Sequence, residues 1–168
     1  MGGKMEVQLR EMSKDEFKIF FENSIFDYAN DLVKSSNITM DEARIQAQGE
    51  FEEMLPNGLE TKDNIFRIIV DVAEQKAVGI IWYLFETTDD VKQIFLSDFI
   101  IKEEERRKGY ASAALIEMER DAQKNDCAES IIYVWKHNLP GINLYTKCGY
   151  VAFRELDDGM YMKKGIKG

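Results

Sequence analysis

Hydrophobic residues recur at helical spacing over the first third of the chain. Ser13 and Glu16 form a capping box, and an amphipathic helix is predicted after it from Phe17, Phe20, Phe21, Ile25, Tyr28 and Leu32. Thr39 and Glu42 form a second capping box, and a second helix is predicted from Ala43, Ala47, Phe51, Met54 and Leu55. This helix should end near Pro56. Residues 13–55 are therefore predicted to be a helical pair.

From residue 64 onward the pattern changes to short apolar strands separated by turns. Strands are predicted at Phe66–Val72, Val78–Phe85, Ile94–Ile101, Ser130–Lys136, Val151–Leu156 and Met160–Lys163, after a first strand at Met5–Arg10. Helices are predicted at Ala111–Lys124 and Gly141–Lys147. Gly79 indicates a bulge or a close backbone approach. This order predicts an α/β (α+β) fold with a mixed, mostly antiparallel central sheet flanked by helices.

Length and charge narrow the class of protein. The 168 residues suit one domain, 1–168, made of the helical pair and a core at 64–168. A net charge of −9 argues against a nucleic-acid partner. No apolar run is long enough to cross a membrane. Two cysteines, Cys127 and Cys148, are too few for a disulfide framework, so we expect reduced thiols and a cytoplasmic protein.

A basic segment between a predicted strand and a predicted helix is the best candidate for binding a ligand. This basic loop consists of Arg106, Arg107, Lys108, Gly109, Tyr110, Ala111 and Ser112. The first N–H groups of a helix have no intrahelical partner and the helix dipole is positive there, so such a loop favours phosphate. Gly109 lets the backbone approach a ligand closely. The alternative is a solvated basic turn. The preceding carboxylates, Glu103–Glu105, are expected to point to solvent.

The spacing R-x-x-G-x-A in this loop resembles the acyl-CoA-binding signature of the GNAT superfamily of N-acetyltransferases, Q/R-x-x-G-x-G/A. A second segment resembles the family element "N, then A, then LY-x-K-x-GF" through Asn138, Gly141, Leu144, Tyr145, Lys147, Gly149 and Tyr150. Gly141 stands where alanine is usual, and Tyr150 where phenylalanine is usual. The resemblance extends from Phe66 to the end of the chain.

The resemblance implies acetyl-CoA as co-substrate. One histidine and two scattered cysteines cannot build a typical zinc site, so no metal is expected. In this family the strand before the loop splays from the strand after the loop's helix. The pantetheine arm would then pair with backbone groups of Phe99, Ile100 and Ile101, and the pyrophosphate would lie on the basic loop. Asn138 would contact the cofactor, or act as a helix N-cap, or both. The helical pair would form one wall of the acceptor pocket.

Tyr145 matches the family tyrosine near the CoA sulfur and is the candidate general acid, although it could simply be a packed aromatic. The general base is open among Asp98, Glu86, His137 and a water chain. Strict alternation would give Leu96, Asp98 and Ile100 one face of their strand.

The function implied is N-acetyl transfer from acetyl-CoA to a primary amine of a small molecule or peptide, by direct attack in a ternary complex. A homodimer is common in such a family. The alternative is a non-catalytic acyl-CoA sensor module with the same motifs. A nucleotide-binding domain of another class is disfavoured, because neither G-x-x-x-x-G-K-S/T nor G-x-G-x-x-G is present.

Overall fold

The computed structural model describes residues 5–166. Residues 1–4 and 167–168, which the predicted domain includes, lie outside the described residues. The chain divides into two compact units, one of Met12–Asn64 and one of the segments before and after it. The single-domain organisation stays a prediction.

The unit Met12–Asn64 consists of helix α1 (Lys14–Ser35), helix α2 (Met40–Met54) and a short 3₁₀ turn (Gly58–Glu60). Both predicted capping boxes are present. The Glu16 N–H donates to Ser13 Oγ at 3.1 Å, and the Ser13 N–H donates to Glu16 Oε1 at 2.9 Å. Thr39 and Glu42 repeat this arrangement at the start of α2. The predicted starts of both helices are thereby confirmed.

The apolar faces of α1 and α2 meet through aromatic rings. The ring of Phe51 on α2 stands edge-on to Phe21 and to Tyr28 of α1, each at a centroid distance of 5.9 Å. Leu55 caps the end of α2, one residue before Pro56. The helical pair therefore has an apolar contact of its own.

The other unit is built around a seven-stranded sheet. Its strands are β1 (Val7–Glu11), β2 (Asn64–Asp71), β3 (Lys76–Thr88), β4 (Val91–Ile101), β5 (Glu129–Trp135), β6 (Val151–Glu155) and β7 (Gly159–Gly165). The spatial order is β1-β2-β3-β4-β5-β7-β6. The pairs β1–β2, β3–β4, β5–β7 and β6–β7 are antiparallel, whereas β4 and β5 are parallel. The predicted mixed, mostly antiparallel sheet is confirmed.

Two helices belong to this unit: α3 (Tyr110–Lys124) and α4 (Leu139–Lys147). Leu115 and Met118 of α3 are fully buried in an apolar cluster that includes Ile132 and Val134 of β5. Fixing α3 against β5 also fixes the start of α3, where the basic loop lies. Within residues 5–166, no helix has the length and apolarity that crossing a membrane requires.

Gly79 of β3 is a site of close backbone approach. A Cβ placed there would lie 2.3 Å from the carbonyl oxygen of Ile100 on β4. That distance is far inside a van der Waals contact, so only glycine fits without a shift of β4. One of the two readings predicted for Gly79 is thereby confirmed.

Strand β4 carries a β-bulge at Ser97. Trp82 of β3 lies opposite Asp98, but the next β3 residue, Tyr83, lies opposite Leu96, so Ser97 is an extra residue. Consecutive β3 residues point to opposite faces, and directly opposed residues share a face. Leu96 and Asp98 therefore lie on opposite faces. The prediction that they share one was wrong, because strict alternation fails across a bulge.

The bulge sends Asp98 to the sheet face that carries Trp82, whose ring stacks on Phe66 at 5.3 Å. Leu96 instead belongs to the apolar cluster around α3, and Phe99 packs against that cluster. A carboxylate that alternation would have aimed at the apolar cluster is thus carried on the other face.

Candidate active site

The parallel ladder between β4 and β5 is short. It joins four residue pairs, from Gln93 with Glu129 to Leu96 with Ile132. Past this point β4 continues to Ile101 on its β3 side, and β5 continues to Trp135 on its β7 side. The two strands therefore separate at the bulge. We call the opening between residues 97–101 and 133–135 the split.

The split exposes backbone to a ligand. Main-chain groups of β4 that face β5 have lost their ladder partners there and can pair with an extended molecule. Phe99, Ile100 and Ile101, the residues predicted to hold the pantetheine arm, form the β4 side of the split.

One backbone donor at the split is already engaged. The Phe99 N–H donates to Asp98 Oδ1 at 2.8 Å. Asp98 is half-buried, and this hydrogen bond holds its carboxylate beside Phe99, on the β4 side of the split. A substrate carbonyl that accepted this N–H would share it with the carboxylate or displace it. A backbone donor on the β4 side of the split and Asp98, one of the candidate bases, are therefore adjacent.

The basic loop begins at the end of this β4 arm. Gly109 is the N-cap of α3 and has a left-handed φ of +95°, and Arg107 also has a positive φ of +63°. The Ala113 N–H makes the first bond of the helix, to the Gly109 carbonyl at 3.2 Å. The N–H groups of Tyr110, Ala111 and Ser112 come before that bond and are aimed ahead of the helix. Such a turn forms an anion site.

The basic side chains of the loop are held differently. Arg106 Nε donates to the Ile101 carbonyl at 3.0 Å, which ties the loop to the end of β4. Lys108 Nζ donates to Glu105 Oε2 at 3.2 Å. Arg107 is exposed. Ser112 Oγ accepts a weak hydrogen bond from Cys148 Sγ at 3.7 Å, so α4 ends beside the first turn of α3.

Tyr110 contributes only its backbone to the loop surface. Its side chain is 3% exposed, and its hydroxyl donates to a carboxylate oxygen of Asp71 at the end of β2. This hydrogen bond raises the pKa of Tyr110 to about 12 and lowers the pKa of Asp71. This pairing could not be predicted from local patterns, because the two residues are 39 positions apart.

Glu105 departs from the expectation that the three carboxylates before the loop point to solvent. Glu103 and Glu104 are exposed, but Glu105 is 6% exposed. Glu105 accepts from Lys76 Nζ at 2.9 Å and from Lys108 Nζ at 3.2 Å. The hydrogen bond from Lys76 is the main cause of its lowered pKa. Glu105 turns inward because two lysines compensate its charge.

Tyr145 lies on α4 and is 9% exposed. Its ring stands edge-on to Tyr150 at 6.0 Å. Burial raises the pKa of Tyr145 above its usual range, and the charge of Asp98 adds to this effect. The phenol is therefore protonated at neutral pH and can donate a proton.

Asn138 is the N-cap of α4. Its Oδ1 accepts the Gly141 N–H at 3.0 Å. A Cβ at Gly141 would lie 2.5 Å from Asn138 Nδ2, so alanine, which is usual at this position in the family, would require the Asn138 side chain to shift. The capping role is present, and a contact with a cofactor stays a prediction.

The other two candidate bases lie away from the bulge. Glu86 is opposite Gln93, and its Oε1 accepts from Gln93 Nε2 at 2.7 Å. Gln93 precedes the bulge by four residues, about 13 Å along a strand. His137 is exposed beyond the end of β5 and stacks on Trp135 at 6.0 Å. Of the three candidate side chains, Asp98 is the one that flanks the split where β4 and β5 part.

The split, the basic loop and Tyr145 on α4 are the features expected of the GNAT superfamily, and a comparison of this chain with protein families agrees. The profile of the acetyltransferase (GNAT) family matches residues 30–150. The chain belongs to this family. By family and fold it is an acyltransferase. The membership of the GNAT superfamily that the sequence motifs indicated is confirmed.

One relative is similar to this chain over nearly the whole length of both. A Bacillus subtilis protein named uncharacterized N-acetyltransferase YycN is 28% identical over 159 residues, which cover 95% of this chain and 99% of YycN. The crystal structure of YycN has a TM-score of 0.83 at 26% identity, covering 89% of this chain and 95% of that chain.

Two more distant structures share the fold. The PaiA N-acetyltransferase of Thermoplasma acidophilum, in complex with coenzyme A, has a TM-score of 0.70 at 17% identity and covers 96% of this chain and 99% of its own. The spermidine N-acetyltransferase of Vibrio cholerae, in complex with CoA and spermine, has a TM-score of 0.66 at 17% identity, with 96% of each chain covered.

Proposed function

We propose that this acyltransferase moves an acetyl group from acetyl-CoA to a primary amine of a small molecule or peptide. The observation that carries the proposal is the continuity of the split with the basic loop. The open arm of β4 ends at Ile101, and the loop follows with Gly109 and the start of α3. An extended thiol arm and a pyrophosphate need these two surfaces in this order.

The reaction proposed is direct attack in a ternary complex. The amine nitrogen attacks the thioester carbonyl carbon, a C–N bond forms, and the C–S bond breaks. The Phe99 N–H supports the negative charge that develops on the carbonyl oxygen. Holding both substrates together supplies much of the rate enhancement. Tyr145 donates a proton to the departing sulfur, and Asp98, directly or through water, removes the proton of the amine.

The cofactor assignment is supported by the coenzyme A in the two more distant structures. In this chain the basic loop would hold the pyrophosphate, and residues 99–101 would hold the pantetheine arm. Spermine in the Vibrio cholerae complex supports an amine as the acceptor class. A net charge of −9 would favour the approach of a cationic amine.

Calorimetric titration with acetyl-CoA, with ATP and NAD as controls, tests the cofactor. We expect selective binding of acetyl-CoA, and equal or absent binding of all three would refute the assignment. Release of CoA is then followed with a panel of primary amines that includes spermine and a lysine peptide. Turnover with any of them separates the enzyme from the alternative of a sensor module, which would bind acetyl-CoA and release no product.

The cellular location and the binding partners of the protein are also proposals. We propose a cytoplasmic location, because two cysteines in 168 residues are too few for the disulfide framework of a secreted protein. A homodimer, and the expectation of neither nucleic acid nor membrane as partner, stay predictions. Light scattering on the purified protein would measure the mass of the assembly.

A further inference from the structure

Two sets of polar contacts connect the basic loop and the residues just before it to the region where β2 ends and β3 begins. The first involves Tyr110, whose hydroxyl donates to Asp71, the last residue of β2. Asp71 Oδ1 in turn accepts the Glu74 N–H at 3.1 Å within the turn. The start of α3 is thereby tied to a turn whose own shape is fixed by the same carboxylate.

The second set involves Glu105. Its Oε1 lies 2.9 Å from Lys76 Nζ, and its Oε2 lies 3.2 Å from Lys108 Nζ. Lys76 is the first residue of β3, and Lys108 belongs to the basic loop. Lys76 is also bridged to Glu74 at 2.9 Å. One buried carboxylate therefore connects the turn to the loop through two ammonium groups.

This geometry restrains where Lys108 can place its charge. A lysine side chain has many rotamers, and ordering it on ligand binding has an entropic cost. Both lysine side chains keep more than two fifths of their surface exposed, so their ammonium groups can still reach a ligand. Glu105 orders Lys108 before any ligand arrives, and Lys76 compensates the charge that Glu105 carries into a buried position.

We propose that Glu105 is a positioning residue for acetyl-CoA. Its buried carboxylate pairs with Lys76 and holds Lys108 and the basic loop in the arrangement that binds the pyrophosphate. The inference rests on the proposed function. It assigns a binding role to a residue that carries the same sign of charge as the ligand.

The sign of the effect separates this role from simple electrostatics. A negative charge close to a pyrophosphate repels it, so removal of Glu105 would strengthen binding if only charge mattered. If Glu105 acts by positioning, its removal weakens binding despite the gain in charge. Exposed Glu104 lies in the same 3₁₀ turn and offers a matched control for the charge alone.

The experiment is calorimetric titration of CoA into the full chain and its variants at one ionic strength. Glu105→Gln keeps the shape of the side chain, and we expect about tenfold weaker binding, as for loss of one charge-assisted hydrogen bond. Glu104→Gln should bind CoA as the wild type does or slightly more tightly. Equal or tighter binding by Glu105→Gln would overturn the inference.

Steady-state kinetics supply the readout that a merely structural defect would not move. The KM for acetyl-CoA should rise in Glu105→Gln while kcat and the KM for the amine stay near the wild-type values. A fall in kcat with an unchanged KM for acetyl-CoA would also overturn the inference.

Lys76→Met serves if Glu105→Gln does not fold. Glu105 then keeps Lys108 alone, and we expect about threefold weaker CoA binding, the scale of one partly exposed ion pair. Wild-type affinity in Lys76→Met would count against the inference. Failure of the wild type itself to bind CoA would instead refute the proposed function.

Discussion

Replacement of Tyr145 by phenylalanine removes one hydroxyl and keeps the ring that packs against Tyr150. The pKa of Tyr145 is raised above the usual 10, so less than about 0.3% of the phenol is ionised at pH 7.5. The proton is therefore available throughout the neutral range. Ionisation of Tyr145 would lower the rate only as pH rises through the raised pKa.

The size of the loss follows from the leaving group. General acid catalysis is worth about 10² to 10⁴ in rate. An ordinary thiol has a pKa of about 8.5, so a thiolate leaves with little assistance and the lower end applies. We expect Tyr145→Phe to lower kcat about 100-fold, or about 2.7 kcal/mol in the barrier. The KM for acetyl-CoA should change less than about threefold, because the ring and the backbone of α4 are retained.

The assay is release of CoA at saturating acetyl-CoA with an amine found in the acceptor screen. Tyr150→Phe is the matched control, because it removes the neighbouring hydroxyl that is hydrogen-bonded to buried Ser130 at 2.8 Å. This control should lose about 1 kcal/mol of stability and keep its turnover. A kcat of Tyr145→Phe within twofold of the wild type would show that Tyr145 is a packing residue and not the acid.

The remaining predictions concern the base, the loop and two glycines. Asp98→Asn should lower kcat/KM about 100-fold, because it removes the group that would accept the proton of the amine. Glu86→Gln should leave kcat/KM unchanged, and a wild-type kcat/KM in Asp98→Asn would show that Asp98 is not the base. Arg107→Glu should weaken CoA binding at least about tenfold at low salt and less at high salt; a loss independent of salt would contradict an electrostatic contact. Gly79→Ala should destabilise the protein by about 1–3 kcal/mol in denaturant unfolding, because its Cβ would overlap the β4 backbone. Gly49→Ala, with open space around an exposed position of α2, should instead stabilise it by about 0.5–1 kcal/mol; the reverse order of the two would refute both arguments.

Local rules predicted the elements well where the signal lies within a few residues. The capping boxes at Ser13 and Thr39 mark the starts of α1 and α2 because both partners are three residues apart. Strand β3 runs to Thr88, beyond the predicted end at Phe85, because the ladder with β4 continues through its polar end. Polar residues carry no strand signal by themselves, so that extension depends on a partner.

The site was predictable in its motifs and not in its pairings. The basic loop and Tyr145 could be found by spacing, because each lies in one short segment. The bulge at Ser97 and the burial of Glu105 could not, since the first depends on the register against β3 and the second on Lys76 at the start of β3. Interactions between distant segments are set by the fold, and a single sequence does not display them.

Four residue pairs are all that the β4–β5 ladder contributes to joining the two halves of the sheet. Regions crossed by few hydrogen bonds open at the lowest free energy, so the amides of Glu129–Ile132 that point to β4 should exchange with solvent sooner than those at the centre of β3. A ligand bound to both β4 and β5 would hold the two halves of the sheet together. At a concentration a hundredfold above its Kd it would add about 2.7 kcal/mol to the free energy of unfolding. The lifetime of the folded enzyme would then follow the supply of its own co-substrate.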